Sequence, residues 1–206
     1  MSQPPWRLSS LTSRIFRASL GLGADMSTTL VYGLAIAGRA VASELALRGE
    51  KVILVDDLES SSHSEFARSL KSEIRIRPTS GELAELLQQS DRVVPAPGVP
   101  ETHQLFEASR RMQKPVMSEI ELAYQIEQQS SSPRPMVAVT GTDGKTTTTL
   151  MAAAILNSAG KKSAAVGNTE TPLIAALRSD IEAFSVECSS FRLRLLKLFV
   201  PKPQCG

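Results

Sequence analysis

Val137-Ala138-Val139-Thr140-Gly141-Thr142-Asp143-Gly144-Lys145-Thr146-Thr147-Thr148-Thr149 is the most informative stretch of the 206 residues. A short apolar run beginning at Met136, with the pattern of a buried strand, feeds a turn with two glycines. The turn opens onto a helical stretch spanning Lys145–Ala159. Strand, turn and helix in that order aim successive backbone N–H groups and a helix N-terminus at one point, which makes an anion site. A lysine at the helix start reaches the outer phosphates of a nucleotide, and the hydroxyl beside it ligates Mg²⁺. The generic phosphate-loop form G-x-x-x-x-G-K-[ST] is met except at its first position, where Val139 stands.

Outward from this loop, strands and helices alternate in both directions. Towards the N-terminus, Leu30–Tyr32 reads as a strand followed by the small-residue turn Gly33–Gly38. A helix follows, with Val41, Leu45 and Leu47 on or near one face, and stops at Gly49. Lys51–Val55 is a strand that ends at Asp56-Asp57. Gly81–Gln88 and Glu101–Met112 read as helices, and Arg92–Val94 and Val116-Met117 as short strands. Ser118–Gln128 opens with Ser118 and Glu121 in capping-box spacing. Towards the C-terminus, Ala164–Val166 and Phe184–Val186 read as strands on either side of a helix over Pro172–Arg178. Gln128–Pro135, rich in Ser and Pro, is the best linker. The pattern predicts an α/β chain in two parts. A Rossmann-like parallel-sheet domain covers residues 26–131, and a phosphate-loop α/β domain covers 132–206. Residues 1–25 show no apolar period, and Arg17 interrupts their most apolar stretch. They are expected to be an extension outside the fold, with Met26 as the natural start.

Composition narrows the function classes. The net charge of +2 is uneven: residues 1–25 and 191–206 together hold seven basic residues and one acid, which leaves 16 basic against 20 acidic in the middle. A mildly acidic body without interleaved aromatics speaks against nucleic-acid binding. No apolar run reaches the roughly 18 residues of a membrane span. Two cysteines, Cys188 and Cys205, give no disulfide framework, so a reducing, cytoplasmic setting is expected. His63 and His103 lack metal-ligand spacing and are expected to be ordinary polar residues.

The string Thr140–Thr147, T-G-T-D-G-K-T-T, resembles the ATP loop of the Mur ligase and folylpolyglutamate synthase superfamily, with Asp143 where many members have Asn. Val166-Gly167-Asn168-Thr169-Glu170-Thr171-Pro172 resembles the G-N-x-G-x-P segment of the D-glutamate-adding Mur ligases, with Glu170 in place of the second glycine. Val186-Glu187-Cys188-Ser189-Ser190-Phe191-Arg192-Leu193 resembles their E-[LC]-S-S-F-Q-L string, with Arg192 in place of Gln. Gly33–Gly38 resembles a loosened dinucleotide turn. Ala96-Pro97-Gly98-Val99 resembles the family's S-P-G-[IV] loop, and Ser118–Leu122 its helix start before the interdomain hinge. Similarity runs from about Leu30 to Lys202, so the second domain is expected to be truncated.

The resemblance implies ATP and Mg²⁺ as cofactors. Gly141, Thr142, Asp143, Gly144, Lys145, Thr146 and Thr147 would bind the nucleotide, and Thr146 and Glu187 the metal. Lys145 and Glu187 would be catalytic. Gly33, Ile36, Ala37, Asp56, Ala96, Pro97, Gly98, Asn168 and Ser189 would contact substrate. The implied reaction is ATP-dependent amide formation through an acyl phosphate. D-glutamate would be joined to UDP-N-acetylmuramoyl-L-alanine by a monomeric, cytoplasmic protein of peptidoglycan precursor synthesis. Two alternatives stand beside it: another amide ligase of the superfamily, and an incomplete nucleotide-binding fragment without ligase activity.

Overall fold

The computed structural model describes residues 27–189. The expectations on residues 1–26 and on Ser190–Gly206, Arg192 included, lie outside the described residues. Seven strands are present among the described residues: β1 (Thr28–Tyr32), β2 (Lys51–Asp56), β3 (Ile74–Ile76), β4 (Arg92–Pro95), β5 (Met136–Val139), β6 (Ser163–Gly167) and β7 (Ala183–Glu187). Seven helices alternate with them: α1 (Ile36–Leu47), α2 (Ser61–Ser69), α3 (Ser80–Gln88), α4 (Gln104–Arg111), α5 (Glu119–Gln128), α6 (Lys145–Ser158) and α7 (Leu173–Ala176).

The strands form two parallel sheets, ordered β3-β2-β1-β4 and β5-β7-β6. In the first sheet both faces are covered, so its strands are nearly continuous apolar runs. Val31, Leu54 and Val94 point to one face, against Val41 and Leu45 of α1 and Ile120 and Ala123 of α5. Leu30, Tyr32, Ile53, Val55 and Val93 point to the other, against Leu83 and Leu87 of α3 and Leu105 of α4. The first core does not end with the first sheet. It continues through Leu173 and Ile174 of α7 to Val166, Phe184 and Val186 of the second sheet, so one apolar body joins both sheets. The opposite face of the second sheet presents small residues, Ser163, Ala165 and Ser185. There α6 sits close, with Thr149 and Ala153 buried.

Several expectations need correction. Leu47 is 66% exposed, because it lies about 200° round the helix from Leu45 while Val41 and Leu45 stack at i and i+4. The helix expected from Glu101 begins at Gln104; the His103 N–H bonds the Pro100 carbonyl, and the His103 ring caps the helix by accepting from the Leu105 N–H. Pro172–Arg178 holds a helix only over Leu173–Ala176. Val116-Met117 is a single parallel bridge to Val93. Ser118 caps α5 through the Glu121 N–H, whereas the Glu121 carboxylate accepts from Gln125. The full reciprocal capping box is at Thr79 and Glu82, ahead of α3. The sequence reading missed α2 and β3. Ser61–Ser69 buries only Ala67, and β3 is three residues long, so neither carries a readable apolar period.

Candidate functional site

All the turns singled out in the sequence lie at the carboxyl ends of the parallel strands, where open α/β sheets bind ligands. In the second sheet β5 runs into the phosphate loop, and α6 starts immediately after it. Gly144 caps α6 with φ +71°, a left-handed conformation that favours glycine. The turn therefore brings Lys145 and Thr146 into the first turn of a 14-residue helix. Lys145 Nζ donates to the carbonyls of Gly141 (2.7 Å) and Thr142 (2.8 Å), so the ammonium is folded over the loop it belongs to. Thr142, Asp143 and Thr147 are exposed around it.

Strand β7 pairs with both β5 and β6, which delivers Glu187 opposite Val139 and Gly167. The Glu187 carboxylate is buried and held from two sides. Thr146 Oγ1 donates to Oε2 at 2.7 Å, and Asn168 Nδ2 donates to Oε1 at 3.3 Å. Residues 146, 168 and 187, drawn from three separate motifs, thus converge on one carboxylate. This donor set suits a hard cation. A hydroxyl and a carboxylate oxygen 2.7 Å apart match the edge of an octahedron, about 2.9 Å for metal–oxygen bonds of about 2.0–2.1 Å. Among the described residues no group of three or more His, Cys, Asp or Glu is arranged to hold a metal. Thr146 and Glu187 are the described residues that could hold such a cation.

The first sheet reverses its strand order between β1 and β4, and a cavity of about 320 Å³ opens there. It brings together four of the predicted substrate residues, Gly33, Asp56, Ala96 and Gly98. Ile36, 69% exposed, and Ala37 do not line it. Pro97 lies instead in a second cavity of about 280 Å³, together with Asn168 and Ser189, so that cavity touches both sheets. Sequence reasoning missed Asp57 and His63 in the first cavity. It also missed His103, which approaches Asp57 Oδ2 at 3.3 Å. The two histidines flank the same pair of aspartates, His63 lying 3.9 Å from Asp56 Oδ2. Spacing along the chain carried no signal of this, because the partners are 7 and 46 residues apart.

Among the described residues no helix is long and apolar enough to cross a membrane. Residues 139–201 match the Mur ligase middle domain family. The chain is 37% identical over 177 residues to the UDP-N-acetylmuramoylalanine–D-glutamate ligase of Frankia casuarinae, covering 84% of this chain and 36% of that protein. It is 38% identical over 176 residues to the ligase of the same name from Geotalea daltonii, covering 84% of this chain and 38% of that one. The chain thus spans a little over a third of the length of these relatives. Among solved structures, the UDP-N-acetylmuramate:L-alanyl-gamma-D-glutamyl-meso-diaminopimelate ligase from Neisseria meningitides aligns at a TM-score of 0.45 and 19% identity, covering 79% of this chain and 52% of that one. With the phosphate loop, the β7 carboxylate and these matched sequences taken together, the chain belongs to the Mur ligase family.

Proposed function

We propose that this chain carries the nucleotide-binding and UDP-substrate-binding parts of an ATP-dependent amide ligase. The reaction joins D-glutamate to UDP-N-acetylmuramoyl-L-alanine during peptidoglycan precursor synthesis. The observation that carries this reading is the 2.7 Å hydrogen bond from Thr146 to Glu187, which joins the phosphate loop to the β7 carboxylate across 41 residues. The relatives' name supports the choice of amino acid and acceptor.

In this reading the substrate carboxylate attacks the terminal phosphorus of ATP, giving an acyl phosphate and ADP. The D-glutamate amine then attacks the acyl carbon, forming the amide and releasing phosphate and a proton. Lys145 exchanges the Gly141 and Thr142 carbonyls for phosphate oxygens and neutralises charge as it shifts to the leaving group. Thr146 and Glu187 hold Mg²⁺, and bound Mg²⁺ supplies further charge neutralisation at the phosphates. Asn168 orients Glu187 from the other side and, with Pro97 and Ser189, faces the acceptor. Residues 26–131 form the UDP-side domain and 132–206 the ATP-side domain, and the protein works as a cytoplasmic monomer.

The test is a thermal shift with Mg²⁺ and ATP. At a ligand concentration of 100 times Kd the folded state gains about 2.7 kcal/mol, which for a chain of this size raises Tm by roughly 5–10 °C. Lys145→Ala is expected to abolish the rise. An equal rise in the variant would remove the phosphate loop from the reading.

A further inference from the structure

Helix α7 has no cap of its own. It holds four residues, Leu173–Ala176, and its N-cap is Pro172, whose side chain cannot accept a hydrogen bond. The first amides of a helix need acceptors from outside it, and a buried amide left without one is costly. Here the acceptor comes from a helix of the first sheet. Glu119 Oε1 accepts from the Ile174 N–H at 2.7 Å, a buried bond between residues 55 apart in sequence. Glu119 is the first residue of α5 and is 2% exposed, and Ile120 and Ala123 beside it belong to the core against the first sheet. A side chain anchored on one sheet thus caps a helix that leads into the other.

Between β6 and α7 runs the turn that carries Asn168, and it has little slack. At its start Gly167 lies against β7 with φ +103°, so close that a Cβ would stand 2.6 Å from the Glu187 carbonyl oxygen. The Asn168 N–H donates to that same carbonyl at 3.0 Å. The turn then closes on itself, the Gly167 N–H donating to the Thr171 carbonyl at 2.9 Å. Only Pro172, its φ fixed by the ring, and the fully buried Leu173 separate Thr171 from Ile174. The position of α7 is therefore passed on to Asn168. The Asn168 side chain donates to Glu187 Oε1 at 3.3 Å, the long end for an N–H···O bond, so a small displacement of the turn decides whether the bond persists.

We propose that Glu119 is a positioning residue for the site at Thr146 and Glu187. By capping α7 from α5 it keeps Asn168 within reach of the Glu187 carboxylate, and so fixes the orientation in which that carboxylate meets a cation. This rests on the reading that Thr146 and Glu187 hold Mg²⁺ beside the phosphates of ATP. Glu119 acts through one amide, one short turn and one asparagine, not by contact with metal or nucleotide.

The experiment is calorimetric titration of the full chain with Mg²⁺ and ATP, for the unsubstituted protein, Glu119→Ala, Asn168→Ala and the double variant. Each single variant is expected to bind roughly 10-fold more weakly, the scale of one hydrogen bond to a charged group. Because Glu119 acts through Asn168, the double variant is expected to bind no more weakly than Asn168→Ala. Glu119→Gln keeps an acceptor for the Ile174 N–H and is expected to restore the affinity. A role in folding alone would lower Tm and leave the affinity of the folded protein unchanged. Unchanged affinity in Glu119→Ala, or losses that add in the double variant, would overturn the role of Glu119 and leave the ATP site standing. Hydrogen exchange covers the case in which Glu119→Ala does not fold. By linkage, saturating Mg²⁺ and ATP should raise the protection of the Ile174 amide more in the unsubstituted protein than in Asn168→Ala. An equal rise in both would overturn the proposal. No binding of Mg²⁺ and ATP by the unsubstituted protein would overturn the reading of the site and this assignment together.

Discussion

Gly38 illustrates how much one hydrogen atom decides in this molecule. A Cβ at this position would stand 1.8 Å from the Gly33 carbonyl oxygen, so only glycine lets α1 close onto the turn after β1. Gly38→Ala is therefore expected to cost about 3 kcal/mol, the upper end of overpacking penalties, and to weaken UDP by displacing Gly33 from the cavity wall. Denaturant unfolding checks the first effect, and an unchanged midpoint would refute it. This glycine pair was visible in the sequence because its spacing is local. The Tyr32–Asp57–His103 network was not, because its members are 25 to 71 residues apart and share no motif. The phosphate loop and Glu187 were legible for the opposite reason: the chemistry there requires particular residues in short, ordered strings.

The segment read as a linker behaves differently from what its Ser and Pro content implied. Arg134 sits inside it and is bound on every side. Its side chain takes both oxygens of Glu127 and the carbonyls of Leu177, Ser179 and Ile181, and it lies 4.6 Å over the Phe184 ring. The end of α5 is thereby stapled to the connection between α7 and β7. Composition reports the absence of an apolar period but says nothing about a single arginine finding five acceptors. Arg134→Ala leaves the buried Glu127 carboxylate with the backbone N–H of residue 134 but without the guanidinium, and is expected to cost about 3 kcal/mol, or roughly 6–12 °C in Tm. Burial pushes the Glu127 carboxyl up, but the Arg134 hydrogen bonds and charge more than reverse this and leave it below the usual carboxylate range. A depressed folded-state pKa gives stability that is complete above the unfolded value, about 4.3, and is lost as pH falls through the folded one. Glu127→Gln should therefore flatten the fall in stability below about pH 4.3. An acid limb of unaltered steepness in the variant would contradict this.

The larger apolar cluster holds residues of both sheets, from Val31 of β1 to Val186 of β7. Periodicity assigns each element its apolar face but cannot say which partner covers it, so a shared core leaves no trace in the sequence. Glu44 of α1 reinforces the union by accepting from Arg178 at 2.6 Å, 134 residues away. The expected outcome is a single calorimetric transition for both sheets. At about 0.7 kcal/mol per residue, the 163 described residues give roughly 110 kcal/mol near 60 °C. Mg²⁺ and ATP, bound at the second sheet, should shift the protection of β1 and β2 amides in hydrogen exchange as well. Two transitions, of which nucleotide moves one, would refute this.

The order β5-β7-β6 also sets a timetable for synthesis. Among the described residues the last strand is the middle one of its sheet, so β5 and β6 find the neighbour they share only when Ala183–Glu187 has left the ribosome. At about 5–20 residues per second, the roughly 20 residues between the ends of β6 and β7 leave the nascent chain with a finished first sheet beside two bare strands for about 1–4 seconds. That interval is when a chaperone would have most to hold, and it closes as Glu187 arrives beside the phosphate loop.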